Sequence, residues 1–88
     1  MSSTQPATPT VTVRYFAGAR AAVGVDTETR EAGSLEELVG QLVDAHGDRL
    51  ERVLTACSFL VDGTTTRDRA LVLAPGAVVD VLPPFAGG

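Results

Sequence analysis

The residues with the clearest chemical potential stand at the end of the sequence, which closes on PPFAGG at residues 83–88. Glycine has no Cβ, so two consecutive glycines can pass through a narrow channel in another protein and leave an α-carboxyl group unhindered. The two prolines lack N–H donors and favour extended backbone, so we expect them to end a strand and direct the tail away from the domain. The Gly88 carboxylate is therefore the expected reactive group. The tail residues expected to contact a partner are Pro84, Phe85, Ala86 and Gly87.

Phe85 has two interpretations. An aromatic ring in a projecting tail has little local core to bury it, which favours a role as an anchor in a partner's pocket. The alternative is a ring folded back onto the domain.

Other polar side chains are weaker candidates. Cys57 lies at the edge of an apolar stretch, where a lone cysteine is more often a packed side chain than a sulfur donor. His46 precedes Gly47 at a predicted helix end, where the helix dipole accounts for it without catalysis. Five acidic residues are spread over a strand, a loop and a helix start, which favours a solvated face over a cation site; they are Asp26, Glu28, Glu31, Glu36 and Glu37. We expect no metal site and no cofactor bound by this chain.

Composition limits the function classes. A chain of 88 residues allows one domain with a compact core. The net charge of −4 argues against a nucleic-acid partner and favours a partner protein with a basic face. No apolar stretch approaches the roughly 20 residues of a membrane-spanning helix, so no membrane association is expected.

The chain contains no lysine, since all seven of its Lys and Arg positions are arginine. A phosphate-binding P-loop and a catalytic Schiff base both require a lysine amine, so both are excluded. If the C-terminus is activated with ATP, another protein must supply the site. The single cysteine fits a reducing compartment, and the start of the sequence lacks the basic and apolar regions of a signal peptide, so a cytoplasmic location is expected.

The first half of the sequence predicts a strand, a loop, a strand and a helix. Val11, Val13 and Tyr15 alternate with polar residues, as in a half-buried strand. Residues 18–24 are small and are predicted to be a loop, and residues 25–30 alternate again as a second strand.

The clearest helix begins at Ser34, which forms a predicted capping box with Glu37. An apolar stripe follows at helical spacing, and Gly47 can end the helix; the stripe is Leu35, Leu38, Val39, Leu42 and Val43. A second, shorter helical turn is predicted around Leu50, Val53 and Leu54.

The second half predicts further strands. Residues 58–61 form a strand before the Asp62-Gly63 turn, and Leu71 and Leu73 suit a short strand before a type II turn at Pro75-Gly76. Residues 78–82 form an apolar strand that leads into the tail. The pattern predicts an α+β domain of the β-grasp, or ubiquitin-like, type, with a mixed sheet and one main helix packed across it. The predicted domain spans residues 11–84, between a disordered tail at 1–10 and a flexible tail at 85–88.

Four motifs together resemble the MoaD/ThiS sulfur-carrier family over about residues 11–88. They are VTVRYFA at 11–17, SLEEL at 34–38, VDG at 61–63, and the close from Pro75-Gly76 to PPFAGG. The opening and the close most resemble those of molybdopterin synthase small subunits.

The resemblance implies a carrier and co-substrate, without an enzyme active site of its own. A ubiquitin-activating-like adenylyltransferase (MoeB-like) would use ATP to convert the Gly88 carboxyl group into an acyl-adenylate, and a sulfur donor protein would then supply sulfur. The Gly88 thiocarboxylate would enter the large synthase subunit (MoaE-like) and attack cyclic pyranopterin monophosphate.

Two alternatives remain open at this point. The same carrier chemistry could serve thiazole, cysteine or tRNA thiolation. A β-grasp interaction module or protein modifier could instead join its diglycine to a lysine of a target protein.

Overall fold

The computed structural model describes residues 8–84, which form five strands and three helices. The strands are β1 (Thr10–Tyr15), β2 (Thr27–Glu31), β3 (Ser58–Val61), β4 (Thr64–Thr66) and β5 (Val78–Leu82). The helices are α1 (Ala17–Val23), α2 (Leu35–His46) and α3 (Asp48–Ala56). The predicted tails at 1–10 and 85–88 lie mostly or wholly outside the described residues. Where they overlap, Thr10 already belongs to β1, and the Ala32 N–H donates to the Pro9 carbonyl at 3.0 Å.

The five strands form one mixed sheet in the order β2-β1-β5-β3-β4. β5 lies at its centre, parallel to β1 and antiparallel to β3. Alternate strand residues, including Val13, Val79 and Val81, are fully buried in one cluster with the helix residues Leu38 and Leu42. This arrangement confirms the predicted α+β, β-grasp class, because the helices pack against one face of the sheet.

The predicted loop at residues 18–24 is wrong, since Ala17–Val23 form α1. Alanine is the best helix former and outweighs the single Gly18 within this segment. Ala19 is fully buried, so the helix is also held by tertiary packing. Gly24 ends it in the left-handed conformation, with φ of 91° and its N–H bonded to the Arg20 carbonyl at 2.8 Å.

The predicted helix start at Ser34 is confirmed. Ser34 Oγ accepts the Glu37 N–H at 3.1 Å. Glu37 Oε1 accepts the Gly33 N–H at 2.5 Å, one residue earlier than in the usual reciprocal box. The predicted apolar stripe also points inward, because Leu35, Leu38 and Leu42 are fully buried.

The predicted strand around Leu71 and Leu73 is wrong. Only Val72 makes a bridge, to Ser34. The segment instead caps α2, since the Leu71 carbonyl accepts the Leu35 N–H at 3.0 Å and the Arg69 carbonyl accepts the Glu36 N–H at 2.7 Å. The first N–H groups of a helix have no acceptor within the helix. Residues 69–71 supply carbonyl acceptors to α2, and this segment therefore packs against the start of α2 and does not pair with a strand.

The Asp62-Gly63 turn has the predicted hairpin geometry. Both residues have positive φ, 50° and 86°, as a type I′ turn requires. The turn joins β3 to β4, a short strand that the sequence pattern did not predict. Asp62 Oδ1 also accepts the Val78 N–H at 2.9 Å, which ties the hairpin to the start of β5.

Candidate functional site

The structure places one of the five predicted site residues. Pro84 is exposed and follows the end of β5, whereas Phe85, Ala86, Gly87 and Gly88 lie outside the described residues. The roles predicted for those four remain predictions.

The root of the tail is held at the centre of the sheet. The last register pair of β5 joins Leu82 to Ser58 of β3, and Pro83 directly after it is buried. Proline cannot donate to a strand ladder, so the strand ends where Pro83 begins. The chain therefore leaves the sheet from a central position, and the four residues after Pro84 can reach roughly 14 Å when extended.

Two residues lie next to this exit along the neighbouring strands β1 and β3. Phe16 is 36% exposed, and its N–H donates to the Val81 carbonyl at 3.3 Å, so it is attached to β5 just before the exit. On the other side, Cys57 follows α3 and precedes Ser58.

Cys57 is poorly suited to sulfur chemistry. Its thiol is half-buried and donates a hydrogen bond to the Val53 carbonyl at 3.0 Å. Burial raises the pKa of the Cys57 thiol above its ordinary value, which lowers the thiolate fraction. Both observations favour the packed-side-chain interpretation.

One face of the sheet is not covered by the helices, and we call it the open face. Its residues alternate with the buried ones, and the strand register places them side by side. They include Thr12, Arg14, Ser58, Leu60, Thr65, Val78, Asp80 and Leu82. None of these eight is fully buried. The open face is continuous with the tail, because β5 contributes to both.

An ion pair occupies the middle of the open face. Arg14 Nε donates to Asp80 Oδ1 at 2.5 Å, and Arg14 Nη2 donates to Asp80 Oδ2 at 2.8 Å. The Asp80 side chain is only 14% exposed, whereas that of Arg14 is 49% exposed. The guanidinium also lies 5.8 Å from the centre of the Phe16 ring, within cation–π range.

A second polar cluster lies on the helix side of the sheet, around Glu28. Its Oε2 accepts hydrogen bonds from the Tyr15 hydroxyl at 2.5 Å and pairs with His46 Nε2 at 2.7 Å. Its Oε1 accepts from Arg30 Nε at 2.8 Å. Burial opposes ionisation of Glu28, but the hydrogen bonds from Tyr15, His46 and Arg30 outweigh it, so the pKa of this carboxyl is lowered.

This cluster corrects the interpretation of Glu28 and adds to that of His46. The sequence predicts a solvated acidic face that includes Glu28, yet its side chain is only 16% exposed. His46 lies in the last turn of α2, as predicted, and it also contacts the Glu28 carboxylate directly. Burial, followed by the Glu28 hydrogen bond, raises the pKa of the Tyr15 phenol well above its ordinary value, so the phenol stays protonated and acts as a donor. Residue spacing could not reveal this cluster, because its members come from three separate elements.

Within residues 8–84, no group of three or more His, Cys, Asp or Glu side chains is arranged to hold a metal ion. No helix in the same part of the chain is long and apolar enough to span a bilayer.

Comparison with known proteins identifies the family. The sequence model of the ThiS family matches residues 13–88, which include the final diglycine. The molybdopterin synthase sulfur carrier subunit of Chlamydomonas reinhardtii is 33% identical over 82 residues, covering 89% of this chain and 98% of that protein.

Solved structures agree. Subunit 1 and 2 of molybdopterin-converting factor from Helicobacter pylori form a protein–protein complex, and the chain matched there is 25% identical, with a TM-score of 0.70 over 90% of this chain and 99% of that one. Small archaeal modifier protein 1 from Methanosarcina acetivorans shares the fold, with a TM-score of 0.77, 21% identity and coverage of 91% and 97%. The family model over residues 13–88 and the 33% identical relative show that the chain belongs to the MoaD/ThiS family.

Proposed function

We propose that this chain is the sulfur-carrier subunit of a molybdopterin synthase. The observation that carries the proposal is the family match over residues 13–88, because it extends through Gly87 and Gly88. The 33% identity with a molybdopterin synthase sulfur carrier supports this pathway over thiazole, cysteine or tRNA thiolation.

The reactive group is the Gly88 carboxylate. A carboxylate is a poor acyl donor because its oxygen is a poor leaving group, so an adenylyltransferase first transfers AMP from ATP to it and releases pyrophosphate. A persulfide of the sulfur donor protein then attacks the acyl carbon and displaces AMP. Cleavage of the remaining S–S bond by a thiol leaves the Gly88 thiocarboxylate.

The thiocarboxylate is the form that donates sulfur. It is a soft, largely ionised nucleophile that attacks cyclic pyranopterin monophosphate within the large subunit. Two sulfurs are needed for each dithiolene, so the carrier is consumed and recharged as a co-substrate. The chain itself binds no cofactor in this scheme, and ATP is used by the adenylyltransferase.

The structure of the described residues suits this role. Pro83 fixes the base of the tail at the centre of the sheet, so the reach of Gly88 is limited by the four residues that follow Pro84. The half-buried Cys57 thiol is a poor competing nucleophile, because burial raises its pKa and lowers the thiolate fraction. The large subunit is the expected partner, in line with the Helicobacter pylori complex of two subunits.

The test has two stages. The carrier is incubated with its adenylyltransferase, ATP and a persulfide donor, and intact-mass analysis measures the replacement of one oxygen by sulfur. The charged carrier is then mixed with the large subunit and cyclic pyranopterin monophosphate, and molybdopterin is measured. A chain lacking Gly88 should fail at the first stage.

The second stage separates the pathways. Charging without molybdopterin formation would contradict the proposed pathway while leaving sulfur-carrier chemistry intact. Conjugation of the diglycine to lysines of other proteins would instead support the modifier function.

A further inference from the structure

The Arg14–Asp80 pair is unusual for its position. Both residues lie on strands at the middle of the five-stranded sheet, directly opposite each other in the β1–β5 register. The open-face side chains around them include the partly buried apolar Leu60, Val78 and Leu82. An ion pair on an exposed surface adds little to the free energy of unfolding. Stability of the domain therefore does not explain why the pair lies here, and a role in binding is considered.

The tail brings a partner to this face. A protein that holds the Gly88 carboxylate in its own active site must approach to within roughly 14 Å of Pro84. The helices cover the other face of the sheet, so the exposed surface continuous with the tail is the open face. A partner that holds the tail would then lie next to Leu82, the last paired residue of β5.

Arg14 has hydrogen-bonding capacity left over. A guanidinium has five N–H donors, and Asp80 accepts two of them. Nη1 has no acceptor among residues 8–84. Asp80 is different, because each of its oxygens already accepts from Arg14 and its side chain is mostly buried. When a partner excludes water from this face, the remaining Arg14 donors must be paired or their desolvation opposes binding.

We propose that Arg14 is a specificity-determining residue of the carrier, and that it binds a carboxylate on the large subunit of molybdopterin synthase. This inference rests on the proposed function. Asp80 is the positioning residue, because it accepts two hydrogen bonds from Arg14 and so holds the guanidinium in one orientation while Nη1 is left for the partner. The composition suggested a basic partner face, but at this central contact the complementary charge is negative.

Four variants test the proposal: Arg14→Gln, Asp80→Asn, the double variant carrying both changes, and the control Arg52→Gln. Arg52 is an exposed arginine of α3, so its loss changes the net charge equally without touching the open face. Binding of each uncharged carrier to the large subunit is measured by calorimetry, and thermal unfolding verifies that each variant is folded.

The proposal predicts a specific pattern. Arg14→Gln should weaken binding by at least about tenfold, as expected for loss of one member of a desolvated charge pair. The double variant should remain weakened to the same extent. Asp80→Asn should weaken binding less than Arg14→Gln does, by no more than about threefold, because asparagine keeps one acceptor oxygen to position Arg14, and Arg52→Gln should bind as the wild type does.

Two results would overturn it. If the pair serves only the sheet itself, the double variant, which leaves no unpaired charge, should regain wild-type affinity. If a partner cation binds Asp80, Asp80→Asn should cause the larger loss. Failure of the wild-type chain to bind the large subunit would contradict the proposed function and this inference together, whereas wild-type binding with rescue in the double variant removes this inference alone.

Discussion

The Tyr15 hydroxyl and the Glu28 carboxylate lie 2.5 Å apart, although they belong to different strands. His46, at the end of α2, approaches the same carboxylate oxygen, so one side chain connects β1, β2 and α2. Glu28 is therefore a structural residue, and its removal has a measurable consequence.

Glu28→Gln should reduce the free energy of unfolding at pH 7 by roughly 1–3 kcal/mol, the range for hydrogen bonds to a charged, partly buried group. The effect should depend on pH. Because the folded-state pKa of Glu28 is lowered from its ordinary value of 4.5, its stabilisation is present above that pH and is lost as the pH falls through the folded-state pKa.

Urea unfolding at pH 7 and at about pH 3 checks this prediction. The difference between wild type and Glu28→Gln should shrink at the lower pH, because the carboxyl of the unfolded chain takes up a proton below its ordinary pKa of 4.5 and the contribution of the charged form then declines. Glu31→Gln, at an exposed position of the same strand, is the control and should have little effect. A pH-independent difference would argue against stabilisation by the charged form.

Leu42→Ala should reduce the free energy of unfolding by roughly 2–5 kcal/mol, because Leu42 is fully buried on the inner side of α2 and its truncation leaves a cavity. That is a large share of the stability of so small a domain. Thermal or urea unfolding measures it, and a midpoint equal to that of the wild type would contradict the packing of α2.

Gly40→Ala, on the same helix, should have the opposite effect. Gly40 is exposed, and an added Cβ would meet no atom within 4 Å. Alanine restricts the unfolded chain and favours the helix, so the free energy of unfolding should rise by about 0.4–1 kcal/mol. A lower free energy of unfolding than that of the wild type would contradict the open, helical environment of Gly40.

Cys57→Ser should become charged with sulfur as the wild type does. A serine hydroxyl can still donate to the Val53 carbonyl, so we expect a stability change within about 1 kcal/mol. Intact-mass analysis after the charging reaction provides the measurement. A folded Cys57→Ser protein that no longer acquires sulfur would reveal a cysteine relay and contradict the packed-side-chain interpretation.

Phe85→Ala tests the tail, which lies outside the described residues. If the ring is an anchor in a pocket of the large subunit, the variant should keep its unfolding midpoint while its binding weakens by more than about 1 kcal/mol. Calorimetry and thermal unfolding of the same protein separate this outcome from a ring packed on the domain, which would lower stability first. Unchanged affinity would leave Gly87 and Gly88 as the essential tail residues.

The sequence by itself determined the elements that depend on side chains close together in the chain. The apolar runs of β3 and β5, the Asp62-Gly63 turn and the Ser34 cap each depend on side chains a few residues apart, and the structure places them as expected. The sequence motifs also indicate the family, and the family model over residues 13–88 confirms it.

Tertiary structure decided the features that depend on contacts between distant residues. The sequence around Leu71 predicts a strand, but its carbonyl groups instead accept hydrogen bonds from the first N–H groups of α2. The sequence predicts that Glu28 is a surface charge, but Tyr15 and His46 form hydrogen bonds with its carboxylate. Arg14 and Asp80 stand 66 residues apart, and only the parallel pairing of β1 with β5 makes them partners, because a sheet register brings together side chains that no sequence window contains.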